Sequence, residues 1–224
     1  MENTLSFKDQ KNILICLTLY ITSLFAANSL GVKIMPFIFG THLSVGIFSF
    51  PIVFMMTDVI GEVYGKKISK MFVLSGIISI ILFTLYSFIS IIVPWAKEGL
   101  WAHDSYNQIF GVTVRISLAS LFAFIVAEYQ DIFSFFFLKN RFDGKYFWLR
   151  SNLSNLWSQL FDSTIFMFIA FLGIYPIKTI ILIIIPWWLF KVLMGFAYTP
   201  LSYLGIYLLT GHDKREKIYE NTSN

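Results

Sequence analysis

The sequence predicts an all-α, polytopic membrane protein: six transmembrane helices in one bundle, with both termini on the cytoplasmic side. Three observations predict it. The 224 residues are 57% hydrophobic and 19% aromatic but only 13% charged, whereas a soluble domain carries about 25% charge. Apolar runs recur at lengths suited to a bilayer core, which needs about 20 residues per helix. Lys and Arg gather in the short segments between alternate runs, the pattern that sets membrane topology.

Six spans follow, at residues 12–31, 43–62, 68–94, 109–138, 150–174 and 179–209. They form one transmembrane domain over 12–209, flanked by a cytoplasmic N-terminus (1–11) and a cytoplasmic tail (210–224). Lys8 and Lys11 precede the first run, and Ala27, Asn28 and Ser29 would suit a signal-peptide cleavage site. The run is nevertheless read as a retained span, because the residues after it continue a motif described below. In the second span Pro51 is expected to kink the helix. The fourth and sixth spans exceed the minimum and are expected to tilt or protrude. Pro186 and Pro200 are expected to break the sixth, and broken membrane helices often line binding cavities. The connection over 95–108, with Trp95, Trp101 and Tyr106, is expected to rest at the interface as an aromatic belt.

Orientation follows from the cations. Eleven Lys and Arg lie at the N-terminus, in the second and fourth connections and in the tail, against three (Lys33, Lys97, Lys178) on the other side. That bias puts both ends inside. It also accounts for the formal charge of +4 without a nucleic-acid partner. The lone cysteine, Cys16, permits no internal disulfide and no Cys-rich metal site. His42, His103 and His212 fall in loops or at span ends, and no metal or cofactor is expected. There is no HExxH, nucleophile elbow or P-loop, so no enzyme activity is expected.

Ionisable residues inside the spans mark candidate sites. A charge at the bilayer centre costs about 2.5–3.5 kcal/mol on insertion scales, so it must pair, protonate or face water. Asp58, Glu62, Glu128, Asp131 and Asp162 are such carboxylates, and Arg115, Arg150 and Lys191 such cations. At 1.5 Å per residue, Asp162 lies about 18 Å into the fifth span from inside and Lys191 about 18 Å into the sixth from outside, so the two can meet. Arg115 lies about 9 Å from the outer surface. Asp58 and Glu62 share one helix face at i, i+4.

The fifth span carries the most specific pattern. Asn152, Asn155, Gln159 and Asp162 fall at about 0°, 300°, 340° and 280°, within roughly one 80° sector. Such a stripe can line a polar cavity for a ligand rich in donors and acceptors, or hydrogen-bond between helices. On the fourth span Ala119, Ala123 and Ala127 form a small-xxx-small face for close helix packing.

Several segments together resemble one family. Phe50-Pro51 with Thr57-Asp58-Val59-Ile60-Gly61-Glu62-Val63-Tyr64-Gly65 resembles the signature of the queuosine precursor transporter family, also known as a vitamin uptake transporter family. Phe110-Gly111, Arg115, Ala119-Ser120-Leu121, Ala123 and Asp131 are similar to its fourth helix. Trp148-Leu149-Arg150, Ser154 and Asp162 are similar to its fifth, and Lys191 and Thr199-Pro200 to its sixth. Glu128 departs from the pattern, at a place where a neutral polar residue is expected. The resemblance implies a carrier in the bacterial inner membrane that takes up 7-deazaguanine bases or queuine for the salvage of a tRNA modification. For such a purine-like ligand, Asn152, Asn155, Gln159 and Asp162 are expected to read the ring edge. Lys191 would pair with Asp162 or bind the carbonyl, and Trp187, Trp188 or a nearby Phe or Tyr would stack on the ring. Arg115 is expected to gate the outer side, and Asp58 and Glu62 to recognise the base or carry a coupling proton. A homodimer is left open. The alternative is the substrate-binding membrane subunit of an ATPase-driven vitamin-type uptake complex; an intramembrane enzyme or an assembly protein has no supporting motif.

Overall fold

A computed structural model describes residues 6–30, 33–36, 42–173 and 175–220. Gly31 and Ile174, expected ends of the first and fifth spans, lie outside the described residues, as do the side chains of His42, His212, Lys214, Arg215 and Lys217. Six helices make up the fold: α1 (Phe7–Leu30), α2 (Phe50–Tyr64), α3 (Lys66–Ile92), α4 (His103–Arg141), α5 (Phe147–Phe171) and α6 (Ile177–Glu220). A short antiparallel pair, β1 (Ile34–Pro36) with β2 (His42–Ser44), and a 3₁₀ turn at Val45–Phe48 connect α1 to α2. Among the described residues, four stretches are long and apolar enough to cross a membrane: Phe7–Leu30, Lys66–Ile92, Lys97–Arg141 and Ile177–Thr210. Large apolar side chains cover their outer faces, among them Leu85, Phe88, Phe122, Phe133, Leu193 and Leu208, all exposed. A continuous apolar exterior of this kind belongs against lipid.

Three expectations about the helices change. Pro51 does not kink a span that starts at 43. It sits in the first turn of α2, where its missing N–H costs no hydrogen bond and its φ is already helical. Pro186 and Pro200 do not break the sixth span, since both lie inside the unbroken α6; neighbouring groups in a bundle can satisfy the carbonyls that a proline frees. The connection over 95–108 is not a loop throughout. A 3₁₀ segment (Lys97–Ala102) runs into α4 at His103, and Trp95 packs edge-on against Tyr106 at 5.3 Å and His103 at 5.4 Å.

The helices run up and down with short turns. Gly65 alone joins α2 to α3, as C-cap of one and N-cap of the other, with φ +85°. Only glycine adopts that backbone cheaply. The start of α1 lies at the same end of the bundle as this turn, with Tyr64 Oη 3.5 Å from Asp9. So do the α4–α5 turn, through the Glu62–Arg150 pair, and the later part of α6, where Gly205 packs on Val59. At the opposite end Arg115 near the start of α4 reaches Leu172 after α5. The main core, built on Tyr20, Leu24, Val53, Ile60, Phe72 and Phe124, joins α1 to α4. A second cluster of Met167, Ile180 and Ile184 joins α5 to α6. Ala119, Ala123 and Ala127 are all fully buried.

Candidate functional site

Inside the bundle lies a cavity of about 390 Å³, lined mainly by α2, α4, α5 and α6 and closed on one side by Leu24, Ala27 and Asn28 of α1, within the range of small-molecule sites. Helix α5 supplies its polar wall. It runs for 25 residues without Gly or Pro, so the 3.6-residue repeat keeps Asn152, Asn155, Gln159 and Asp162 on one side, and all four border the cavity. Trp157 and Phe161, on the outer side, are exposed. Helix α6 contributes Trp187, Lys191, Met194, Gly195, Tyr198 and Ser202, again one helical face. Helix α2 adds Phe50, Phe54 and Asp58, and α4 adds Ser120, Phe124 and Asp131.

The polar groups are held in fixed positions. Lys191 Nζ donates to Asp162 Oδ2 at 2.5 Å, and its ammonium stands 5.8 Å from the centre of the Phe50 ring. Asn152 Nδ2 donates to the Trp148 carbonyl at 2.7 Å and to Thr199 Oγ1 at 2.8 Å, tying α5 to α6. Gln159 Nε2 donates to Asn155 Oδ1 at 3.1 Å. At the floor the Ser151 hydroxyl donates to Asp58. Several acceptors remain open: Gln159 Oε1, Ser163 Oγ and Asp131 Oδ1 are buried with no hydrogen-bond partner. A buried acceptor left unmade costs about 1–3 kcal/mol, so these atoms suit a ligand that brings N–H donors. The aromatic walls, Phe50, Phe54, Phe166, Phe171 and Trp187, suit a flat ring.

Three residues singled out from the sequence stand elsewhere. Trp188 does not line the cavity; its indole Nε1 donates to the Leu156 carbonyl at 2.9 Å. Adjacent helical residues point about 100° apart, and Trp187 takes the inner position. Arg115 is exposed and donates to the Leu172 carbonyl at 3.1 Å, so it joins two helix ends. Glu62, one turn beyond Asp58, is captured by an ion-pair cluster. Arg150 grips both its oxygens at 3.0 and 3.2 Å, and Lys139 Nζ donates to Oε2 at 2.8 Å. Fully buried Arg150 also donates to the Gly144 and Lys145 carbonyls, both at 2.9 Å, fixing the α4–α5 turn. This cluster fills the bundle beyond the cavity floor.

Trp187, expected from the sequence as a stacking residue beside Trp188, lines the cavity, whereas Ser163, Tyr198 and Ser202 also line it and are not singled out by the sequence. Ser163 was within reach, since it falls at about 20° on the α5 wheel, beside Asn152.

Gly195 sets the width of the site. A Cβ there would stand 2.0 Å from Asn155 Nδ2. Gly195→Ala is therefore expected to displace the Asn155–Gln159 pair and weaken ligand binding by roughly tenfold, about 1.4 kcal/mol. Helix stability should hold, because Ala is the better helix former. A binding titration beside a thermal melt checks both parts.

Comparison with known proteins adds an independent line. Residues 44–205 match the family described as "Putative vitamin uptake transporter". The chain is 30% identical over 167 residues to the "Probable queuosine precursor transporter" of Bacillus subtilis (strain 168), covering 74% of this chain and 72% of that protein. It is 25% identical over 169 residues to the "Queuosine precursor transporter" of Escherichia coli (strain K12), covering 75% and 73%. No solved structure matches at a significant level.

Proposed function

The chain belongs to the queuosine precursor transporter family, and from that premise we propose that it carries queuosine precursors, 7-deazaguanine bases or queuine, into the cell as a solitary secondary carrier. The open acceptors in an aromatic-walled cavity carry this reading. A guanine-like edge offers ring and amino N–H donors to Gln159 Oε1, Ser163 Oγ and Asp131. Its carbonyl accepts from Lys191 or the Asn155 amide, and its plane lies against Trp187 or a Phe ring. Asp162 holds Lys191 in place and presents a carboxylate to the same space.

All six helices span the bilayer in this reading, with both chain ends in the cytoplasm of a bacterial cell. α2 and α5 are not among the four apolar spans, and both line the cavity. α2 has only 15 residues and falls short on length, whereas α5 carries a polar face that meets protein or water and need not be apolar all round. The excess of Lys and Arg at the end where α1 begins supports the orientation. A family of transporters is not a family of enzymes, and the chain has no motif for ATP hydrolysis.

Purified protein alone in liposomes tests the proposal. It should take up a radiolabelled cyano or aminomethyl 7-deazaguanine base, show competition by queuine, and ignore an unrelated vitamin such as thiamin. Uptake only in the presence of a separate ATPase, or preference for the unrelated vitamin, would overturn it.

A further inference from the structure

On α4, between the cavity-lining Phe124 and Asp131, lies a carboxyl group that the substrate reading does not use. Glu128 on α4 is fully buried, and neither of its carboxyl oxygens has a hydrogen-bond partner. The Tyr20 hydroxyl of α1, also fully buried and without a partner, is its electrostatic neighbour. Thr57 of α2 faces it too, with its hydroxyl hydrogen committed to the Phe54 carbonyl at 2.8 Å. The charged groups around it are all acidic: Asp131 on its own helix, Asp58 on α2 and Asp162 on α5. Lys191 of α6 is held by Asp162. No group of three or more metal-ligating residues occurs among the described residues.

An ionised carboxylate in that place would be a buried charge facing three acidic groups, with the Tyr20 and Thr57 hydroxyls as polar neighbours. Asp58 and Asp131, both electrostatic neighbours of Glu128, border the cavity, and Glu128 does not. Asp131 Oδ1 is itself buried without a partner. Resting on the carrier reading above, we propose that Glu128 is a proton-binding site, loaded from the cavity through Asp131 and Asp58, whose occupancy couples substrate uptake to the proton gradient. An O–H bond forms on Glu128 with a proton from water on the outer side. It breaks when the bundle rearranges and water on the inner side takes the proton. With a neutral base, each such cycle moves one positive charge inward.

Proteoliposomes separate this claim from the carrier reading. Substrate counterflow, which needs no driving force, reports the cavity; accumulation under an imposed pH gradient, with a pH dye inside, reports coupling. Wild type should show counterflow, accumulation with the interior alkaline, and substrate-dependent proton entry. Glu128→Gln, a neutral near-isostere, should keep counterflow but lose at least tenfold of the gradient-driven accumulation and its proton entry. Gradient-driven accumulation by Glu128→Gln equal to wild type would overturn the proposal, as would accumulation driven by a sodium gradient alone. Wild type without counterflow would overturn the carrier reading, and this proposal with it.

Discussion

Asp162→Asn is expected to lower substrate uptake by roughly ten- to a hundredfold while the protein still inserts and folds. Asp162 accepts from Lys191 at 2.5 Å at the cavity wall. Asparagine keeps the shape but not the charge, so the ammonium loses its counter-ion and its fixed position. A hydrogen bond to a charged group contributes about 1.5–3 kcal/mol, which converts to that range of affinity. Lys191→Ala should be as severe, because it also removes a donor for the substrate carbonyl. Both partners keep some exposure, with side chains 10% and 14% accessible, so water in the cavity can solvate whichever charge remains. Uptake and binding measured beside membrane abundance check the expectation. Near-normal binding in both variants would remove this pair from the substrate site.

Arg150→Ala should act on the fold instead. Arg150 has no exposed surface, makes four hydrogen bonds, and lies 5.0 Å from the Phe135 ring centre and 5.8 Å from that of Phe147. Removing it leaves Glu62 with Lys139 alone and frees the Gly144 and Lys145 carbonyls. Breaking a buried ion pair from one side costs about 3–5 kcal/mol. That corresponds to a fall of roughly 10 °C in melting temperature for a domain of this size. Arg150→Lys should recover little, because an ammonium cannot grip two carboxylate oxygens and two carbonyls at once. A thermal melt in detergent, read by size-exclusion chromatography, gives the answer. An unchanged melt in Arg150→Ala would mean that the cluster does not hold the α2, α4 and α5 ends together.

What could be read from the sequence was what depends on local spacing. The polar stripe of α5 repeats at helical intervals, so its side of the helix is fixed before any neighbour is known. Depth counting likewise brings Asp162 and Lys191 to one level. What could not be read depends on partners distant in the chain. Glu62 shares a face with Asp58, yet Arg150, 88 residues away, draws it out of the cavity. Glu128 lies within a turn of Asp131, and only the packing of α1 against α4 shows that one is sealed in and the other open to the cavity. Trp187 and Trp188 are neighbours after Pro186, and the rotation of α6 that chooses between them is set by its contacts with α5. Pro51 was ambiguous for another reason: the same residue starts a helix or bends one, according to where the preceding chain turns.

The central claim is that a ligand occupies an accessible space between α5 and α6, and cysteine accessibility tests it most directly. In a Cys16→Ala background, Met194→Cys places a thiol on the cavity wall, and Leu193→Cys places one on the exposed face beside it. A small, charged methanethiosulfonate reagent should modify Met194→Cys but not the lipid-facing Leu193→Cys, and a saturating 7-deazaguanine base should slow the Met194→Cys reaction at least tenfold. A Met194→Cys thiol that never reacts, or that reacts at the same rate with the base present, would contradict the account.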